Sequence, residues 1–125
     1  MRASLTRLCA PACVAFVLSC AATPQPDPNA VPASGQSYAA AVAAMCGVDA
    51  MGKLEGDGLE IGRARSDWLK AHVENPQGIY LLTILSVKPA KEQAELLLEE
   101  AKSTGGSTCA LSEALAANEL GALAP

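Results

Sequence analysis

Aromatic side chains make up only 3% of this 125-residue sequence: one Trp, two Tyr and one Phe. Four rings are too few for a base-stacking platform or a large aromatic ligand cage. Histidine occurs once, as His72, which excludes most multi-histidine metal sites and most histidine-based triads within one chain. Positive charge is scarce as well. Nine Lys and Arg stand against thirteen Asp and Glu, a net charge of -4, so no basic patch is available to displace counterions from a nucleic acid. No apolar run approaches the roughly 20 residues that span a bilayer. The length suits one small domain and leaves no room for a second core of useful size.

The chain does have a marked N-terminus. Arg2 and Arg7 precede an apolar stretch from Leu8 to Leu18, and no acidic residue occurs before Asp27. A charged start followed by a short apolar segment is the pattern of a secretory signal peptide. Its end is more specific: Val17-Leu18-Ser19-Cys20 resembles the lipobox of bacterial membrane lipoproteins. That resemblance covers residues 1–20 only. It implies removal of residues 1–19, a diacylglycerol on the Cys20 thiol and acylation, for example with palmitate, of the new N-terminus. Ala21 and Ala22 lack the aspartate that retains enterobacterial lipoproteins in the inner membrane, so the outer membrane is favoured. The competing reading is an ordinary signal peptide cut after Ala21 or Ala22, which yields a soluble periplasmic or secreted protein.

Residues 20–36 then read as the lipid-anchored tether. Pro24, Pro26, Pro28 and Pro32 favour extended polyproline conformation, and the segment has too little apolar surface to fold. From residue 37 to 120 the composition changes, and an all-α domain is expected, a small bundle of about five short helices. Ser37 caps the first, with Tyr38, Ala41, Val42 and Met45 on one face and Gly47 as its stop. Residues 47–58 read as a glycine-rich loop. Asp57 caps a second helix ending before Asn75-Pro76, with Ile61, Arg65, Trp68 and His72 along one stripe. Asn75 caps a third with Pro76 at its first position. Residues 79–87 are apolar nearly all round and fit a buried strand by periodicity, but the Asn-Pro start favours a central buried helix. Pro89 opens a fourth helix with Ala90, Ala94, Leu97 and Ala101 inward, ended by Gly105-Gly106. Ser107 or Thr108 caps a fifth carrying Leu111, Ala114 and Leu115. Residues 121–125 read as a C-terminal tail.

Cys9 and Cys13 fall in the leader and Cys20 is the lipid acceptor, which leaves Cys46 and Cys109 as an even pair in an oxidising compartment. A disulfide between them closes a loop that the chain-entropy relation values at about 4 kcal/mol. No CxxC is present, so a thioredoxin-type redox mechanism lacks its usual geometry. The clip matters because 15 of the 41 apolar residues in the 84-residue domain are alanine, which makes for a thin core.

Other motifs lack the residues their chemistry requires. Gly56 to Gly62 is too loosely spaced for a nucleotide loop and follows no strand. Asp49 and Glu60 could open and close a calcium loop, but Met51 and Lys53 occupy positions that need oxygen ligands. Glu92, Glu95 and Glu99 lie on a polar helix face. Met45, Cys46, Met51, His72 and Cys109 could in principle hold a soft metal, although core and disulfide roles account for them more simply. The sequence therefore reads as a lipid-anchored envelope protein acting as a non-catalytic binding or structural module, with no metal or cofactor. The membrane is reached through the lipid, an unidentified protein partner in the envelope is expected, and nucleic acid is not. The Arg65, Trp68 and His72 stripe reads first as core-facing; it or the glycine-rich loop is otherwise the candidate partner surface. The alternative is an exported, soluble, soft-metal-handling protein.

Overall fold

The computed structural model describes residues 35–125. The leader, Cys20 and the tether up to residue 34 lie outside the described residues. Six α-helices follow in order: α1 (Tyr38–Cys46), α2 (Val48–Gly52), α3 (Gly58–His72), α4 (Pro76–Ser86), α5 (Ala90–Ser103) and α6 (Ala110–Ala117), then a 3-10 turn at Glu119–Gly121. There is no strand among the described residues, so residues 76–86 are helical and the all-α class holds.

Local chemistry explains several boundaries. The Ser37 hydroxyl accepts from the Ala40 amide at 3.1 Å, which satisfies one orphan donor at the start of α1. Asn75 caps α4 more fully, accepting from the amides of Gln77 and Gly78 at 3.0 and 3.1 Å, and Pro76 supplies a preset φ at the first helical position. At the end of α5 the Gly106 amide donates to Ala101 O and the Gly105 amide to Lys102 O. Gly105 has φ +94°, the left-handed step that this pair of reversed bonds requires.

Other boundaries differ from expectation. Residues 47–58 are not all loop: Val48–Gly52 form the short helix α2, with the fully buried Val48 as its anchor. It ends at Lys53, whose φ of +49° closes the turn. Asp57 stands at the cap position of α3 but makes no side-chain cap bond. Cys109, not Ser107 or Thr108, is the residue before α6. There the disulfide fixes the chain's entry, so a hydroxyl cap is dispensable.

The centre of the bundle is α5, which packs against α1, α4, α6 and the 3-10 turn. Ala90, Ala94, Leu97 and Ala101 are its buried face, as the spacing predicts, joined by Gln93. Small alanines let the neighbouring helices approach, and Met45, Leu69, Leu85, Leu97, Leu111 and Leu115 fill the space between them. Helix α4, expected at the centre, lies at the side instead. Only Gly78, Leu81 and Leu85 are buried on it, while Tyr80 is 68% exposed and Val87, just past its end, 78%. Its apolar pattern runs all round, so sequence gives no preferred face. The contact with α1 is close: a Cβ on Gly78 would stand 2.8 Å from that of Ala41.

The stretch 121–125 is not a free tail. Leu123 is buried in the core. Gln93, itself fully buried, clasps it through both backbone groups: its Oε1 accepts from the Leu123 amide at 2.9 Å and its Nε2 donates to Leu123 O at 3.0 Å. The Ala124 amide donates to Ser66 Oγ at 2.9 Å. Gly62 on α3 leaves room for this strand-like segment, because any Cβ there would collide with Ala122 O.

Candidate functional site

Cys46 and Cys109 form a disulfide with their Cα atoms 4.6 Å apart. It joins the end of α1 to the start of α6 and therefore clips the two ends of the helical domain together. Both thiols are consumed, so neither is available as a soft-metal ligand, and Met45 lies fully buried in the core. Among the described residues no group of three or more His, Cys, Asp or Glu is placed to hold a metal ion.

The Arg65, Trp68, His72 stripe does not form one surface. Arg65 is only 6% exposed. Its guanidinium grips Asp49 of α2 through two parallel bonds of 2.7 and 2.6 Å and donates to Gly121 O at 2.8 Å. This fork ties α2, α3 and the C-terminal segment together, so Arg65 is a structural latch rather than part of a partner surface. Trp68 is half-buried beside Gly52 and Leu54. His72 is exposed and stacks on the Trp68 ring with centroids 3.9 Å apart and planes 10° from parallel. Its Nδ1 lies 2.7 Å from Trp68 O. A neutral ring must carry its proton on Nδ1 to donate there, which points Nε2 away from the bond.

The chain enters the domain at the same corner. Gln36, expected as the end of the tether, is fixed: its Oε1 accepts from the amides of Glu74 and Asn75 at 2.8 and 3.1 Å. Its Nε2 donates to His72 O at 3.0 Å, and its own carbonyl accepts from Asn75 Nδ2 at 2.9 Å. The turn between α3 and α4 thus holds the first described residues.

The clearest concave feature is a cleft of about 350 Å³ between the C-terminal half of α3, the side of α4 and the C-terminal segment. Val73, Ile79, Leu82 and Leu123 make its apolar walls, and Lys70 supplies the one charged side chain. That volume lies at the small end of the usual range for ligand pockets, about 300–1,000 Å³. Helix α4 at the side of the bundle forms one wall of the cleft, with Ile79 exposed and Leu82 partly buried against the core. Sequence reading missed it: two of its walls are the successive helices α3 and α4, but the third is the chain's last residues, which read as a tail. Ser66, Thr83 and Ser86 line it too, and their hydroxyls donate to backbone carbonyls of their own helices. A second hollow of about 270 Å³ lies beside Cys46, lined largely by alanine, threonine and glycine.

Tyr38 shows the one distinct electrostatic perturbation among the described residues. Its hydroxyl donates to Glu100 Oε2 at 2.7 Å. Partial burial, then the carboxylate that accepts this bond, push its pKa up to about 12. This pair links α1 to α5 at the domain edge and lines neither hollow. Comparison of the chain with family models, curated proteins and solved structures finds no match.

Proposed function

We propose that the chain is an exported envelope protein, lipid-anchored through Cys20 with the outer membrane as the favoured site, whose helical domain is a non-catalytic binding module. The observation that carries the anchor is Val17-Leu18-Ser19-Cys20 at the end of a charged-then-apolar leader. The Cys46–Cys109 disulfide supports export, because such bonds persist in oxidising compartments. The cleft between α3, α4 and the C-terminal segment supports binding as the domain's task. Its hydroxyls are tied to backbone carbonyls, which leaves its chemistry to apolar contact and one lysine. The arrangement suits capture of a ligand or a partner's side chain in the envelope, not bond-making.

The anchor is tested by growing a bacterial host that carries the full-length chain with labelled palmitate and separating membranes from soluble protein. The wild type should carry the label and sediment with the membranes. Cys20→Ser should lose the label. An unlabelled wild-type protein found wholly in the soluble fraction would overturn the anchor.

A further inference from the structure

We infer that the outer face of α4 is a membrane-docking surface, which seats the domain on a bilayer of zwitterionic phospholipid. The inference rests on the Cys20 anchor and goes beyond it, because a lipid on Cys20 holds the chain near a bilayer without fixing which side of the domain meets it. Three observations select this face and this occupant. The first is the face itself. From Asn75 to Val87 the sequence has no charged residue. Ile79, Thr83 and Val87 recur at four-residue steps, with Tyr80 and Ile84 beside them, so all five share one side of the helix. Of the six large apolar side chains exposed among the described residues, Ile79, Tyr80 and Val87 lie here, whereas Met51, Leu59 and Leu120 come from three different elements. A tyrosine, apolar in its ring and polar at its tip, suits the head-group level of a bilayer.

The second observation is where the chain enters. Four hydrogen bonds fix Gln36 to His72, Glu74 and Asn75, at the turn from which α4 starts. The segment that leads back to Cys20 therefore joins the domain at the N-terminal end of this helix. Fifteen residues lie between Cys20 and Gln36, a reach of at most about 60 Å in any conformation. A bilayer that holds Cys20 is thus presented to the α4 face at an effective concentration on the order of millimolar. A contact too weak to hold by itself persists under that constraint.

The third concerns size and charge. Eleven helical residues present a strip of roughly 16 by 10 Å, well under the ~800 Å² per partner that a stable protein interface buries. A second copy held by this strip alone would not stay, whereas a fluid lipid layer asks for no matching shape. Charge selects among lipids. The chain downstream of Cys20 keeps seven basic and thirteen acidic side chains, a net charge of -6, and the face offers no cation to an anionic head group. Anionic lipid repels such a domain, and zwitterionic lipid does not.

The test couples residues 20–125, with the Cys46–Cys109 bond formed, through the Cys20 thiol to a maleimide lipid in phosphatidylcholine nanodiscs. Helical circular dichroism of each variant is checked first. A nitroxide-bearing lipid in the same disc should broaden the methyl resonances of Ile79, Thr83, Ile84 and Val87 more than those of Leu59 and Leu120, which are also exposed. Val87→Glu should lower the docked-to-free ratio read from this broadening about tenfold, the scale of burying one exposed aliphatic side chain. Leu120→Glu, the same kind of change outside α4, should leave the ratio as it is. Adding phosphatidylglycerol to the disc should lower it.

Equal broadening of Leu59, Leu120 and the α4 methyls would reveal a tethered but undocked domain and overturn the inference. Tighter docking on phosphatidylglycerol would overturn zwitterionic lipid as the occupant. A dimer of residues 21–125 in light scattering that Val87→Glu dissolves would overturn the inference by assigning the face to a second copy. Chemical coupling supplies the tether in this experiment, so none of these results alters the palmitate label, and the anchor is judged separately.

Discussion

Arg65 sits on the stripe that sequence reading offers to a partner, yet its guanidinium is turned to Asp49 and Gly121 O inside the protein. The pair is lopsided: the Arg65 side chain is 7% exposed and that of Asp49 38%. Removing the carboxylate leaves a buried cation with only a carbonyl for company. Asp49→Ala is therefore expected to cost about 2 kcal/mol in urea denaturation, less than a fully buried pair would because Asp49 is partly hydrated. Sequence could not reveal this partner, since Asp49 lies 16 positions away in a stretch that reads as glycine-rich loop. The Ser37 and Asn75 caps were legible because their bonds close within three residues. Tyr38 gives a second prediction at this scale. Its pKa rises from 10.0 in the unfolded chain to about 12 in the fold, so the folded state holds the phenolic proton more tightly. Stability from this group is complete below pH 10 and is lost as pH climbs toward 12. Tyr38→Phe should flatten that alkaline decline in thermal melts, and a decline unchanged in the variant would contradict it.

Among the elements, the C-terminal segment differs most from its sequence reading. Five residues with one leucine carry no helical or strand period, so nothing local marks residues 121–125 as part of the domain. What holds them is tertiary: Gln93 spans from α5 to Leu123, and its Nε2, whose two N–H bonds are shared among three acceptors, also reaches the carbonyls of Leu85 in α4 and Lys88 just beyond it. Its amide satisfies backbone groups that Gln93→Leu would leave unpaired. That variant should lose about 3 kcal/mol by chemical denaturation, and amide exchange at Leu123 should quicken well before the rest of the core opens. Exchange at Leu123 as slow as in the wild type would contradict the clasp. Helix α4 teaches the converse. Its start was legible from Asn75-Pro76 and its helical state followed, but its position was not, because an apolar pattern on every side fixes no inward face. That position makes α4 one wall of the cleft.

For the whole molecule, the thin alanine-rich core and the disulfide belong together. Helix α5 is surrounded through alanine contacts, which bring backbones close but bury little area per residue. The Cys46–Cys109 bond compensates by restricting the unfolded chain, and its loss through paired Cys46→Ser and Cys109→Ser changes should lower stability by about 4 kcal/mol. For a domain of this size that approaches its total stability, so the double variant should be largely unfolded at 37 °C by circular dichroism. The pairing was legible because only two cysteines lie beyond Cys20. The six-helix arrangement around α5 was legible in class and in most helix bounds, not in layout.

The account as a whole, an exported domain anchored at Cys20 and clipped by one disulfide, meets its most direct test in one intact-mass measurement. The protein is taken from the membrane fraction and alkylated without reduction. The predicted mass is that of residues 20–125 plus diacylglycerol and an acyl chain, two hydrogens lighter for the Cys46–Cys109 bond, with no alkylated thiol. A soluble product beginning near Ala22 or Thr23, without lipid and with two alkylated cysteines, would contradict it.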